Sequence, residues 1–216
     1  MNPHKLLPVL MLLALGAGCL PISKETPEKQ QFVLDVSRPS GDTSKPINAV
    51  LRVNEFRLSP LYEGRGLTYR VDDLTYKSDF YNEFFIVPGQ MLAEETIQWL
   101  DESNLFEDVV GDSLSQEASY MLDGTIQELY GDYSSNPAKA VLEIEFVLLK
   151  RVEGSEKVSF KKAYRQEQPA SGKSAKKLVR AWNQGLASIL KTFEEDLRKN
   201  LDATAVSTEN STTRSP

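Results

Sequence analysis

Histidine and cysteine are almost missing from these 216 residues, each occurring once, as His4 and Cys19. The start of the chain reads as a leader. Lys5 beside His4 makes a short polar head, residues 6–15 form an apolar run broken only by Pro8, and Gly16-Ala17-Gly18 are small residues before Cys19. With residues 1–18 removed as a signal peptide, His4 goes too, and the mature chain has no imidazole. That excludes Ser-His-Asp and Cys-His catalysis and every ordinary zinc site, so neither an enzyme nor a cofactor is expected. Long hydrophobic runs are lacking as well, since the leader's apolar stretch falls well short of the ~20 residues that span a bilayer as a helix. Positive charge is in deficit. The whole chain carries 25 Lys+Arg against 31 Asp+Glu, net −6, and losing Lys5 leaves 24 against 31, net −7. Such a chain is a poor ligand for nucleic acid and a poor peripheral binder of anionic lipid.

What is present at the start supplies a different attachment. Leu15-Gly16-Ala17-Gly18-Cys19 resembles a bacterial lipobox, in which the cysteine is acylated and becomes the first mature residue. No second cysteine is available for a disulfide. Each buried acyl CH₂ contributes ~0.8 kcal/mol, so several chains hold a protein on a membrane essentially permanently. Leu20 follows the cysteine where an Asp tends to retain Gram-negative lipoproteins at the inner membrane, and the resemblance implies the periplasmic face of the outer membrane. Residues 19–30, with PISKETPEK at their centre, are poor in apolar side chains and read as a lipidated tether.

Residues 31–201 have a common size for one domain with one core. Strand-like runs are expected at residues 32–36, 49–58, 67–71, 74–86 and 106–110. Three longer ones, at 119–132, 138–151 and 157–168, are separated by the turn-rich segments GDYSSNP and EGSE. One helix should begin at Pro88 and show Leu92, Thr96, Trp99 and Leu100 on one face. Another, from Ser174 to about Leu201, shows Leu178, Trp182, Leu186, Ile189, Phe193 and Leu197. Strands grouped around two helices predict an α+β fold, a mostly antiparallel sheet with both main helices packed on one face. Residues 202–216 are rich in Thr, Ser and Ala without periodicity and read as a disordered tail.

The most informative stretch is GLTYRVDDLTYKSDFYNEFFIVPGQML, residues 66–92. Leu67, Tyr69 and Val71 alternate with Thr68 and Arg70, and Asp72-Asp73 supply a turn, so a hairpin is predicted. Beyond it Leu74, Tyr76, Phe80, Phe84 and Ile86 should face the core, with Lys77, Asp79 and Glu83 facing water. Tyr81 and Phe85 then fall on the wet side. Two aromatics on a charged face, with Tyr69 and Arg70 near them, are the candidate binding group, because aromatics and Arg carry interface energy. Other motifs read as structure. Gly172-Lys173-Ser174 lacks the glycine of a phosphate loop five residues earlier, where Glu167 stands, so it is a turn and helix start. Asp72, Asp73 and Glu83 are turn and strand residues in preference to an acid/base pair. Lys173, Lys176, Lys177 and Arg180 form a helix's solvated face, open to an acidic partner.

Leu67-Thr68-Tyr69-Arg70, the aromatic strand after it and the helix start at residues 88–92 resemble the signature of the auxiliary lipoproteins of ABC-type lipid transport, the outer-membrane component of MCE/Pqi-type systems. The order continues through Phe106-Glu107-Asp108-Val109, Tyr120-Met121-Leu122-Asp123-Gly124 and the amphipathic last helix, covering residues 31–201. Many members have Arg-Trp where this chain has Glu83-Phe84. The resemblance implies a non-catalytic subunit that works with an MCE-domain protein and its permease and ATPase. Tyr69, Arg70, Tyr81 and Phe85 would contact that partner or a lipid. A homo-oligomeric ring would suit docking onto a tubular partner. The competing reading is a lipoprotein supporting another envelope machine, for lipopolysaccharide insertion or peptidoglycan synthase activation. A peptidoglycan activator must reach across the periplasm, and the short tether, at most ~3.5 Å per residue, argues against that.

Overall fold

The computed structural model describes residues 28–41, 45–113 and 116–212, with side chains described to residue 203. The expected signal peptide, the lipidated Cys19 and all but the last residues of the tether lie outside the described residues. Among the described residues the order is β1 (Gln30–Phe32), β2 (Ile47–Val53), β3 (Arg57–Leu58), a 3-10 turn (Pro60–Tyr62), β4 (Gly66–Arg70), β5 (Tyr76–Phe84), α1 (Pro88–Glu102), β6 (Phe106–Gly111), β7 (Tyr120–Asp132), β8 (Lys139–Val152), β9 (Ser155–Pro169) and α2 (Ala175–Thr212). The strand expected at residues 32–36 starts earlier and is shorter, while Leu34 and Val36 are buried from irregular backbone. The last helix continues as helix to Thr212, beyond the Leu201 at which its apolar pattern ends.

The sheet is mixed, which overturns the expectation of a mostly antiparallel one. β4–β5, β7–β8 and β8–β9 pair antiparallel. By contrast β1–β5, β2–β6, β2–β7, β3–β7 and β4–β7 pair parallel. The cause is the long strand β7. One of its edges takes β8 along its whole length, and the other is shared by three short strands in succession. Leu51 pairs with Tyr120, Arg57 with Thr125 and Tyr69 with Gly131, so the chain travels along β7 in β7's own direction. A parallel pair needs a long crossover, supplied here by β5, α1 and β6. Beyond this shared edge the sheet divides, with β6 beside β2 and with β5 and then β1 beside β4.

Where β2 gives way to β3, Phe56 closes the gap. Its ring lies so close over Gly124 of β7 that a Cβ there would fall 2.4 Å from the ring. Its carbonyl lies against the first turn of α1, where a Cβ on Gly89 would fall 2.2 Å from Phe56 O. The ring meets Phe146 edge-on at 5.7 Å, and Phe146 stacks on Phe193 of α2 at 4.0 Å, so an aromatic column joins the break in the sheet to the last helix.

Both helices pack into one apolar cluster. The α2 stripe of Leu178, Trp182, Leu186, Ile189, Phe193 and Leu197 is buried as its spacing predicts, and the Trp182 indole donates to Val141 O at 3.0 Å. In α1, Leu92, Thr96, Trp99 and Leu100 are buried. Pro88 opens that helix, and Asn104, with φ 54° just past its end, takes the left-handed conformation common at helix C-termini. Between the helices the buried Glu194 carboxylate accepts two 2.8 Å bonds from Arg38 and one of 3.0 Å from the Trp99 indole. Burial alone would raise its pKa, but these donors hold it below the usual carboxylate value.

Gly124→Ala is expected to cost about 1–3 kcal/mol of stability by overpacking against the Phe56 ring. The change should appear as a lower urea midpoint with unchanged slope. In a Phe56→Leu background most of that cost should vanish, because the ring that the methyl strikes is gone.

Candidate functional site

β5 does not keep the simple alternation its sequence predicts. Gly66 pairs with Glu83, but Thr68 pairs with Ser78, so residues 79–82 stand opposite the single residue Leu67. This extra length is held by one carboxylate. Asp79 Oδ1 accepts from the backbone N–H of Tyr81 (2.8 Å) and Asn82 (3.0 Å), and Oδ2 accepts from the Tyr69 hydroxyl and Asn82 Nδ2, both at 2.8 Å. Burial opposes the charge, yet the four donors keep the Asp79 pKa below its ordinary value. A bulge re-aims side chains, and the ones re-aimed here are Phe80 and Tyr81. Their rings meet edge-on at 5.2 Å and are 70% and 40% exposed.

Phe80 was expected in the core and is instead outside, as is Leu74, which crowns the hairpin turn. There Asp72 Oδ1 accepts from the N–H of Leu74 and Thr75, the turn role expected of that residue. Glu83 moves the other way. Expected on the wet face, it is buried and takes Arg65 at 2.9 Å, Gln31 at 3.0 Å and Lys29 at 3.4 Å. The Gln31 hydrogen bond leads in lowering its pKa, with Lys29 and Arg65 adding to it against burial. Asp72 and Glu83 thus lie in separate clusters, one in the hairpin turn and one buried beside β1. Lys29 Nζ also sits 4.6 Å from the centre of the Phe80 ring, a cation–π distance. One strand step on, Phe85 N donates to Phe32 O at 2.8 Å, and exposed Phe85 and Val33 leave the sheet together.

The four candidate residues therefore separate into two pairs. Tyr81 and Phe85 are exposed, whereas Tyr69 and Arg70 are tied into the structure beneath. The Tyr69 ring stacks on Tyr133 at 4.7 Å and its hydroxyl is committed to Asp79. Burial first, and then Asp79, raises its pKa. Arg70 grips Asp132 with contacts of 2.7 and 3.4 Å and lies over the Tyr130 ring at 5.3 Å. These links hold the β4–β5 hairpin to the end of β7. Tyr133 in turn donates through its hydroxyl to Lys173 O, and Lys173 Nζ donates to Tyr133 O, tying in the turn before α2. That turn is the Gly172-Lys173-Ser174 segment, and its helix starts when Leu178 N donates to Ser174 O.

Sequence reasoning missed Phe80, Val33 and Lys29. The available signal was local: Asp79 and Asn82 are turn formers set inside a run otherwise fit for a strand. Among the described residues no group of three or more His, Cys, Asp or Glu could hold a metal ion, and no helix is long and apolar enough to cross a membrane.

No family model matches the chain, and no curated protein matches it in sequence. Its fold is similar to that of protein XCC0632 from Xanthomonas campestris, of the family DUF330, with a TM-score of 0.71 and 12% identity over 82% of this chain and 99% of that one. It is also similar to an uncharacterised protein with a TM-score of 0.63 and 18% identity, over 79% and 99% of the two chains. At such identities the likeness is one of fold. A looser match, with a TM-score of 0.40 and 15% identity over 72% and 90% of the chains, is PelC from Paraburkholderia phytofirmans. PelC forms a dodecamer, a property of that protein which decides nothing for this one.

Burial raises the Asp132 pKa, but hydrogen bonds from Arg70 and Ser134 outweigh it and lower the value to about 2. Against an unfolded value of about 3.9, this contribution to stability is complete above about pH 4 and is lost as the pH falls toward the folded value. Asp132→Asn should cost about 1.5–3 kcal/mol at pH 7. Between pH 4 and pH 2 its stability should fall less steeply than that of the unchanged protein, and parallel urea-midpoint curves would remove the ion pair from the account.

Proposed function

We propose that this chain is the outer-membrane-anchored lipoprotein subunit of an ABC/MCE-type lipid transport system, working on the periplasmic face. In this role it binds and does no chemistry. The observation that carries the reading is the exposed aromatic group of Phe80, Tyr81 and Phe85, in and just after the strand beside which the chain enters the fold. Exposed apolar clusters on a small domain mark interaction surfaces. Tyr81 and Phe85 form the contact with the transport partner or lipid; Tyr69 braces the bulge beneath Tyr81 through Asp79, and Arg70 ties the same hairpin to the end of β7. The ordered run of motifs behind a lipobox supports the choice of system. The partners are an MCE-domain protein and its associated permease and ATPase, and the docking geometry would suit several copies of this chain.

In-cell amine crosslinking, followed by isolation of the full-length lipoprotein and mass spectrometry, tests the system. The expected result is recovery of an MCE-domain protein in a crosslinked adduct. Adducts with lipopolysaccharide-insertion or peptidoglycan-synthase components, and none with an MCE-domain protein, would overturn it.

A further inference from the structure

We propose that the edge formed by Val33, Phe80, Tyr81 and Phe85 rests in the interfacial layer of the bilayer that holds the anchor, so that the lipoprotein is oriented on its membrane and not merely leashed to it. The inference depends on the reading of Cys19 as lipidated.

The length of the leading chain and the place where it ends point to this occupant. From Cys19 to Gln30 there are eleven residue steps, at most about 40 Å when fully extended. The chain then enters the fold as β1, where Gln30 pairs with Asn82, the last residue of the bulge. The aromatic edge is therefore the part of the domain that a short anchor holds nearest the lipid. β9 lies at the other end of the sheet, beyond β4, β7 and β8.

The side chains suit an interface between water and hydrocarbon. Aromatic rings with one polar end collect at that depth, and Tyr81 has that form. Lys29 over the Phe80 ring and Arg65 beside Glu83 are both partly exposed, at 47% and 43% of their side chains, and long enough to reach headgroup oxygens while their stems stay on the apolar patch. Glu83 offsets part of their charge and the chain as a whole is acidic. Contact therefore depends on the rings more than on anionic lipid. The bulge is already fixed by the four donors on Asp79, so the rings are presented without an ordering cost on contact.

The test uses the full lipidated chain reconstituted into vesicles of phosphatidylethanolamine and phosphatidylglycerol containing acyl-brominated phosphatidylcholine as quencher. Phe80→Trp places a reporter in the patch, and Val158→Trp places one at an exposed position on β9. The emission of buried Trp99 and Trp182 is subtracted using the unchanged chain. Phe80→Trp fluorescence should shift to the blue and be quenched severalfold more than that of Val158→Trp. Tyr81→Trp gives the same reading should Phe80→Trp lose its cooperative melt. Water-like emission with quenching equal to Val158→Trp, in protein that co-floats with the vesicles, overturns the oriented contact while leaving the anchor in place. Failure of the unchanged chain to co-float overturns the anchor reading, and the inference with it.

Discussion

The second edge of β7 is the constraint on which the rest of the molecule depends. A thirteen-residue strand buried in the middle of a sheet must have its N–H and C=O groups paired on both sides. β8 meets that demand on one side in a single stretch. On the other side β2, β3 and β4 meet it piecemeal, and each change of strand leaves a gap in the ladder. The gap after β2 is filled by the Phe56 ring, which fits only because position 124 has no side chain. From that ring the contacts run through Phe146 to Phe193, so the irregular edge of the sheet and the regular face of α2 are one packing unit. The other end of the edge is weaker in backbone terms. β4 meets β7 at Tyr69–Gly131 and Arg70–Asp132, and there side chains take over: an ion pair, a tyrosine stack and a shared carboxylate.

This division explains how much could be read from residue order. Helical stripes and the β7–β8–β9 meander were legible because their information is local: apolar spacing for Trp182 and Phe193, and turn residues between strands at the right intervals. Strand direction was not legible. Alternation in β2 or β4 reports which face is buried but says nothing of whether the partner runs up or down, and that choice is made by the long crossovers to β7, residues 54–119 from β2 and 71–119 from β4. The bulge in β5 was missed for a related reason. Period-2 reading assumes unbroken pairing, so four residues set against one displace the side chains in and beside the bulge, while Phe84 stays buried and Phe85 exposed as the alternation expects. Phe80 passed from the core to the surface, and Glu83 from the surface to a buried cluster with Lys29, Arg65 and Gln31.

The candidate site shows the same split. Tyr81 and Phe85 are exposed, as their place on the charged side of the alternation predicts. Tyr69 reaches the base of the bulge through Asp79, whereas Arg70 is committed to Asp132 at the end of β7, so both serve as supports of the hairpin. A rigid aromatic edge next to the tether, on a domain held together elsewhere, can be altered without disturbing the core. That separability is the central claim.

The most direct measurement is the thermal melt of the Tyr81→Ser, Phe85→Ser double variant, taken together with its ability to restore envelope function in cells lacking the native chain. The account predicts an unchanged melting transition and no restoration. Loss of the transition would make these rings part of the core, and full restoration with an intact fold would show that the edge is not where this protein works.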